Sequence, residues 1–164
     1  MSKVYSITAV QKIPVDIKTA WDFFSSPHNL QAITPPEIYF KVTSKYSSNM
    51  YPGQIIEYRV KPLLGITFYW MTEITHVSES KFFVDEQRFG PYSMWHHQHH
   101  FTIIEGGVEM TDIVHYKIPY WFLGDMVNSV LVRKQLRKIF NYRHKAVIQQ
   151  FGNWPGEREN IVIK

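Results

Sequence analysis

Alternation of apolar and polar positions begins at the third residue of the chain. Over residues 3–13, Tyr5 and Ile7 share one face of an extended chain and Ser6 lies on the other. A period of two residues is typical of a β-strand, and Pro14 ends the pattern because it lacks a backbone N–H for the sheet. The sequence therefore predicts a first strand over residues 3–13.

Two short helical segments are predicted next. Asp16 is a suitable N-cap, and apolar residues that include Trp21 and Phe24 recur at helical spacing as far as Ser25. A second helical turn is predicted over residues 27–34, where one proline suits the start and two prolines prevent its continuation.

The central half of the chain returns to a period of two. Turn residues rich in Gly, Pro, Ser and Asn interrupt this pattern at short intervals, which predicts that consecutive strands pair as an antiparallel meander. The six predicted strands span about residues 39–46, 54–62, 66–78, 81–89, 93–104 and 108–118.

The pattern becomes helical after Pro119. Apolar residues at spacings of three and four, among them Leu136 and Phe140, predict one long helix over residues 123–151, and Gly152 stops it. The only element long enough to cover the apolar face of a seven-stranded sheet is this helix. We therefore expect an α+β fold in which the sheet wraps around the C-terminal helix.

The domain organisation follows from the same pattern. No repeat or linker divides residues 1–152, so we expect one domain there and a C-terminal tail over residues 153–164. A curved sheet that holds a helix leaves a space between the two layers. Whether that space is filled or hollow decides the function.

Composition adds two unusual features. Aromatic residues make up 16% of the chain, and four of the eight histidines lie between His96 and His100. The chain has no cysteine, which excludes disulfides, thiolate metal sites and a catalytic thiol.

Charge and hydropathy limit the partners. The net charge of +4 permits contact with nucleic acid or anionic lipid without requiring it, and we interpret the basic run at residues 133–138 as a solvated helix face. We expect no nucleic-acid partner. The sequence shows neither an export signal nor a membrane-length apolar run, so we expect no transmembrane segment and a cytoplasmic location.

The histidine-rich strand divides its side chains between two faces. A two-residue turn at Gly106–Gly107 would place His99 opposite Val114. His96 and His100 then point outward. The predicted inward face carries Trp95, His97, His99 and Phe101 on one strand and Asp112 and Tyr116 on the next.

Three interpretations of the inward polar residues remain open. They could hydrogen-bond one another within a filled core, or they could orient a ligand in an apolar pocket. In the third interpretation they bind metal or act in catalysis, since two histidines at i and i+2 can share a zinc ion with Asp112 as a third ligand. His-x-His without a second cluster is a weak signal, so the sequence assigns no metal and no cofactor.

Neighbouring elements supply further inward candidates. Trp70 and Thr72 share the more apolar face of one predicted strand, and Asp85 shares a face with Gln87 on the next. A buried carboxylate beside a histidine could serve as a hydrogen-bonding site or an acid/base pair. From the helix, Arg143 lies on the apolar stripe and could meet a buried aspartate or an anionic ligand.

Two blocks of sequence resemble a known superfamily. The opening IPVDIKTAWDFFSSPHNLQAITPP and the block FFVDEQRFGPYSMWHHQHHF are similar to bacterial members of the SRPBCC superfamily, which includes START lipid-transfer domains, polyketide cyclases and birch-pollen allergens. The segments TDIVHYKIP and VRKQLRKIFNYRHKAV are also similar, so the resemblance covers residues 4–151. It implies a helix-grip fold with a cavity for a hydrophobic small molecule. It implies no catalytic residue, because the superfamily shares no catalytic motif.

Binding of a hydrophobic small molecule of lipid, polyketide or aromatic type is therefore the expected function, and the ligand and the oligomeric state stay open. The alternative is a cyclase or dehydratase-type enzyme, with His97 or His99 as acid/base and Asp85 or Asp112 as its orienting partner. A third class, binding of anionic surfaces by the basic run, is also considered. The candidate ligand-binding residues are Trp70, Thr72, Asp85, Gln87, Trp95, His97, His99, Phe101, Asp112, Tyr116, Phe140 and Arg143.

Overall fold

A computed structural model describes residues 3–45, 47, 49–61, 65–119 and 131–164. Two α-helices are described, α1 (Ile17–Phe24) and α2 (Arg133–Phe151), with two 3₁₀ turns, Pro27–Gln31 and Pro36–Ile38. The strands are β1 (Tyr5–Ile13), β2 (Lys41–Val42), β3 (Gln54–Val60), β4 (Phe68–Ser78), β5 (Phe82–Phe89), β6 (Met94–Ile104), β7 (Gly107–Lys117) and β8 (Asn160–Ile163).

The strands form one antiparallel sheet in the order β2, β3, β4, β5, β6, β7, β1, β8. Consecutive strands from β2 to β7 are neighbours, and β1 returns beside β7. The α+β class and the order of strand, short helices, meander and C-terminal helix are confirmed. Among the described helices, none is long and apolar enough to cross a membrane.

The first helix forms as its sequence predicts. The carboxylate of Asp16 caps it by accepting a hydrogen bond of 2.9 Å from the backbone N–H of Thr19. Its apolar stripe is buried, and Trp21 and Phe24 contact the ring of Phe101 on β6. This helix therefore closes one end of the sheet with aromatic side chains.

The described part of the C-terminal helix packs along the sheet. Leu136 and Phe140 are buried against β1 and β7, and Val147 is buried near α1. The predicted helix began at residue 123, but residues 120–130 lie outside the described residues. The strand predicted over 39–46 spans only Lys41–Val42 in the structure. It starts later because Tyr39 adopts the left-handed conformation with φ of 47°, which does not extend a strand.

The strand count of seven is wrong by one. The eighth strand, β8, pairs with the outer edge of β1, where Ile163 lies opposite Ile7. A four-residue strand has a weak pattern of its own, and its partner lies at the opposite end of the chain. The free backbone N–H and C=O groups at the outer edge of β1 pair with these four residues, and this pairing stabilises a strand that the local sequence does not predict.

The predicted register of the histidine hairpin is wrong by two residues. Ile104 pairs with Gly107, so the turn lies at Glu105–Gly106 and His99 faces Asp112 instead of Val114. Gly106 has φ of +85°, which favours glycine, and a Cβ on Gly107 would lie 2.2 Å from the carbonyl oxygen of Ile13. A shift of two residues keeps the inward and outward faces unchanged.

Candidate functional site

A cavity of about 160 Å³ lies between the sheet and α2. Strands β3 to β6 form one wall of the cavity, and residues of the short helical turns and of α2 line its other sides. Most of the lining is aliphatic or aromatic, with Ile56, Ile74, Trp70, Tyr92 and Phe140 among its members. The space between sheet and helix is therefore hollow in part, as a binding site requires.

One end of the cavity is polar. Asp85 on β5 lies directly opposite His97 on β6, and His99 lies directly opposite Asp112 on β7. Strand alternation turns all four side chains to the same face of the sheet, and Arg143 reaches them from α2. The guanidinium Nη2 of Arg143 lies 3.3 Å from Oδ1 of Asp112.

The two imidazoles bridge the two carboxylates. Nε2 of His97 lies 2.9 Å from Oδ1 of Asp112, and Nε2 of His99 lies 2.9 Å from Oδ2 of Asp85. The remaining nitrogens face the opposite partners: His97 Nδ1 is 3.7 Å from Asp85 Oδ2, and His99 Nδ1 is 2.9 Å from Asp112 Oδ1 without hydrogen-bond geometry. The ring centroids lie 3.7 Å apart. We call Asp85, His97, His99, Asp112 and Arg143 the polar cluster.

Opposing effects set the protonation of the carboxylates. Burial acts to raise the pKa of Asp112, but the charge of Arg143 and the contacts with both imidazoles outweigh it and leave that pKa well below the usual value. Burial also acts to raise the pKa of Asp85, and the hydrogen bond with His99 and the charges of the imidazoles outweigh it, so this pKa is lowered too. Both carboxylates are therefore ionised at neutral pH.

The histidines differ from each other. Burial acts to lower the pKa of His99, but its contacts with Asp112 and Asp85 outweigh burial and raise that pKa. Burial and the neighbouring His99 lower the pKa of His97. The shifts favour the proton on His99 over His97; when His99 is protonated, it and Arg143 balance the two carboxylates.

Eight of the twelve sequence-predicted ligand residues line the cavity. They are Trp70, Thr72, Asp85, Trp95, His97, His99, Phe140 and Arg143. The other four are placed elsewhere. Phe101 packs in the core against Trp21, and Tyr116 is fully buried beside Tyr5 and Tyr92. Asp112 stands behind the imidazoles and borders a second, smaller cavity of about 20 Å³.

Gln87 has a supporting position at the turn between β5 and β6. Its side-chain amide donates to the carbonyl oxygen of Tyr92 at 2.6 Å and accepts from the Tyr92 backbone N–H at 3.3 Å. A Cβ on Gly90 would lie 2.3 Å from Oε1 of Gln87. The Gln-x-x-Gly-Pro spacing thus holds a tight turn that places the ring of Tyr92 in the cavity wall.

Several aromatic wall residues were not among those predicted from the sequence, and Tyr58 and Tyr92 are two of them. Tyr92 lies within the block FFVDEQRFGPYSMWHHQHHF that resembles the superfamily, where Gln87 and Gly90 are the signal that could have identified it. Tyr58 on β3 is buried next to Thr72, with its hydroxyl 3.5 Å from the threonine Oγ1, and alternation along β3 was the available signal. Burial raises the pKa of both tyrosines, so both hydroxyls stay neutral.

Comparisons with known proteins give no match to a family model or to a curated protein. Solved structures do match. The aromatase/cyclase ZhuI from Streptomyces sp. R1128 superposes with a TM-score of 0.68 and 11% identity, over 90% of this chain and 93% of that chain. Protein Ms6760 from Mycobacterium smegmatis gives a TM-score of 0.62 and 18% identity, over 88% of this chain and 92% of that chain.

A third solved structure shares the same architecture. Ara h 8.0201 matches with a TM-score of 0.56 and 17% identity, over 90% of this chain and 99% of that chain. At these identities the likeness concerns the fold. The chain has the helix-grip fold that the sequence resemblance implies.

Proposed function

We propose that this protein binds a small hydrophobic molecule in the cavity between its sheet and α2. The observation that carries the proposal is a cavity of about 160 Å³ with apolar walls and one polar end. Engineered apolar cavities of about 150 Å³ hold benzene. The ligand is accordingly a molecule with one aromatic ring or a short chain, smaller than a fused-ring polyketide.

Polar atoms in the wall define the rest of the ligand. Trp70 lines the cavity, and its buried indole N–H has no hydrogen-bond partner among the residues that the structure describes. A buried donor without a partner costs about 1–3 kcal/mol, which a ligand oxygen would recover. The ionised Asp85, which also lines the cavity, can accept a hydrogen bond. We therefore propose a ring or chain that carries at least one oxygen.

Calorimetric titration with phenol, p-cresol and toluene tests the proposal. We expect saturable binding of all three, with the oxygen-bearing compounds bound more tightly because they can accept from Trp70. Native mass spectrometry of protein purified from its own host provides a second measurement. Absence of saturable binding to any of these compounds, together with no retained molecule, would contradict the proposal.

A substitution that fills the cavity gives a second test, and the same substitution on the surface is its matched control. Ile74 lines the cavity and is 2% exposed, whereas Ile103 on β6 is 71% exposed. We expect Ile74→Phe to weaken phenol binding at least tenfold, since the larger ring occupies the space of the ligand, and Ile103→Phe to leave binding unchanged. Equal affinities in the two variants would show that phenol binds elsewhere.

A cyclase or dehydratase-type enzyme is the second candidate. It is supported by the presence of Asp85, His97 and His99 in the wall of the cavity, where a bound molecule would contact them. One structural neighbour is an aromatase/cyclase. Incubation with small β-hydroxyketones, followed by mass spectrometry for loss of water, tests this candidate. No product above the uncatalysed background would remove it.

A further inference from the structure

The polar cluster has a cavity side and a rear side. Each imidazole turns one nitrogen towards Asp85, which lines the cavity, and the other towards Asp112, which does not line it. The cavity-side atoms are Oδ2 of Asp85, Nδ1 of His97 and Nε2 of His99. Among the residues that the structure describes, these three side chains form the group of imidazoles and carboxylates able to share a metal ion, with ligand atoms within 4.8 Å of one another.

We propose that Asp85, His97 and His99 bind one zinc ion at the polar end of the cavity. Zinc bonds to nitrogen and oxygen measure about 2.0–2.2 Å, so ligand atoms in a tetrahedral site lie roughly 3.3 Å apart. Oδ2 of Asp85 lies 2.9 Å from His99 Nε2 and 3.7 Å from His97 Nδ1, on either side of that value. Small rotations of the side chains bring the three atoms around one ion.

The rear side of the cluster supplies the supporting carboxylate. Histidines that bind metal almost always donate their other ring N–H to a carboxylate, carbonyl or water, which fixes the ring orientation. Nε2 of His97 hydrogen-bonds to Oδ1 of Asp112 at 2.9 Å. Nδ1 of His99 lies at the same distance from this oxygen but without hydrogen-bond geometry, so a rotation of the His99 ring would complete the second contact. Arg143 in turn holds Asp112 at 3.3 Å.

Three protein ligands leave a fourth position open. Sites of this type are typical of catalytic or ligand-binding zinc rather than structural zinc, which takes four protein ligands. The open position faces the cavity, where a water molecule or an oxygen of a bound molecule completes the coordination. Metal binding goes beyond the proposed function and does not require an organic ligand, so the two proposals fail separately.

A cobalt titration of the protein tests the site. After removal of metal with a chelator, we expect Co²⁺ to bind with one equivalent per chain and to give the intense visible bands of a four-coordinate ion, which Zn²⁺ then displaces. Weak binding without these bands, or no saturable binding, would overturn the proposal. No organic compound is present in this experiment.

Variants on the same strand separate the site from surface histidines. We expect His97→Ala, His99→Ala and Asp85→Asn to lose the cobalt bands, whereas His96→Ala and His100→Ala, which alter the outward face of β6, keep them. Asp112→Asn should weaken zinc binding by about 10–100-fold, as for other supporting carboxylates. Loss of the bands in the outward variants instead would assign the metal to the surface and overturn the proposal.

NMR of the wild-type protein tests the same site without any substitution, so it applies even where a variant fails to fold. Zinc bound at the proposed site shifts the imidazole signals of His97 and His99 and leaves those of His96 and His100 in place. The opposite pattern, or no shift at one equivalent of zinc, contradicts the site even if no variant can be purified.

Discussion

A buried aspartate decides the character of the polar end of the cavity. Asp112 is 5% exposed and accepts contacts from His97, His99 and Arg143. Removal of one partner from a buried ion pair leaves a charge without compensation, which costs far more than loss of a surface pair. We therefore expect replacement of an α2 cation that pairs with a buried aspartate to lower the free energy of unfolding more than replacement of an exposed one.

Replacement of Arg143 by methionine tests this dependence. We expect Arg143→Met to lower the free energy of unfolding by about 3–5 kcal/mol, because Asp112 remains buried without its guanidinium partner. Lys138→Met is the matched control on the same helix, since Lys138 and its partner Glu37 are largely exposed; its cost is about 0–1 kcal/mol. Urea unfolding measures both values, and equal costs would contradict the burial argument.

The strands position the residues of the polar cluster in two ways, through the alternation of side chains along each strand and through the turns that join neighbouring strands. Strands β5 and β6 bring Asp85 opposite His97, and the turn that joins them is held by Gln87 at the backbone of Tyr92. The Gln87 amide occupies the space beside Gly90, where an added Cβ would lie 2.3 Å from Oε1 of Gln87 and displace it. The wall of the cavity near Tyr92 is therefore set by a local contact rather than by the sheet ladder.

A double-mutant cycle measures this local contact. We expect Gly90→Ala to destabilise the protein by about 1–3 kcal/mol, because the added Cβ displaces the Gln87 amide from its two hydrogen bonds. In a Gln87→Ala background the same change should cost much less, since the displaced group is absent. Equal costs in both backgrounds, measured by urea unfolding, would show that Gly90 acts independently of Gln87.

At the scale of the whole molecule, the two ends of the chain meet in the sheet. β8 extends the sheet beyond β1, and Ile161 and Ile163 pack against the buried cluster that contains Ile7, Val114 and Phe140. Arg137 of the basic run donates to the carbonyl oxygen of Ile161, so part of the run contacts the protein's own last strand. The C-terminal segment thus covers an edge that β1 would otherwise expose.

Substitutions in β8 test this contribution. We expect Ile163→Ala to lower the free energy of unfolding by about 1 kcal/mol or more, because a partly buried apolar side chain is removed. The neighbouring Val162 points outward and is 45% exposed, so Val162→Ala should change stability by less than about 0.5 kcal/mol. Thermal or urea unfolding distinguishes the two, and a larger effect at Val162 would reverse the assigned faces.

The sequence by itself determined the elements and the faces. Alternation along β6 placed His97 and His99 inward and His96 and His100 outward, and an error of two residues in the register did not change this, because side-chain direction repeats every second residue. The helix-grip architecture followed from the order of these elements and from the motifs that resemble the superfamily.

Tertiary structure decided what the faces contact. Gly107 lies against Ile13, and this long-range approach fixed the turn and set His99 opposite Asp112. Trp95 and Phe101 lie on the same inward face of β6 but have different surroundings. Phe101 packs in the core beneath α1, whereas Trp95 lies in the wall of the cavity. Local periodicity reports the direction of a side chain, whereas the atoms it meets come from distant parts of the chain, and only the folded structure brings them together.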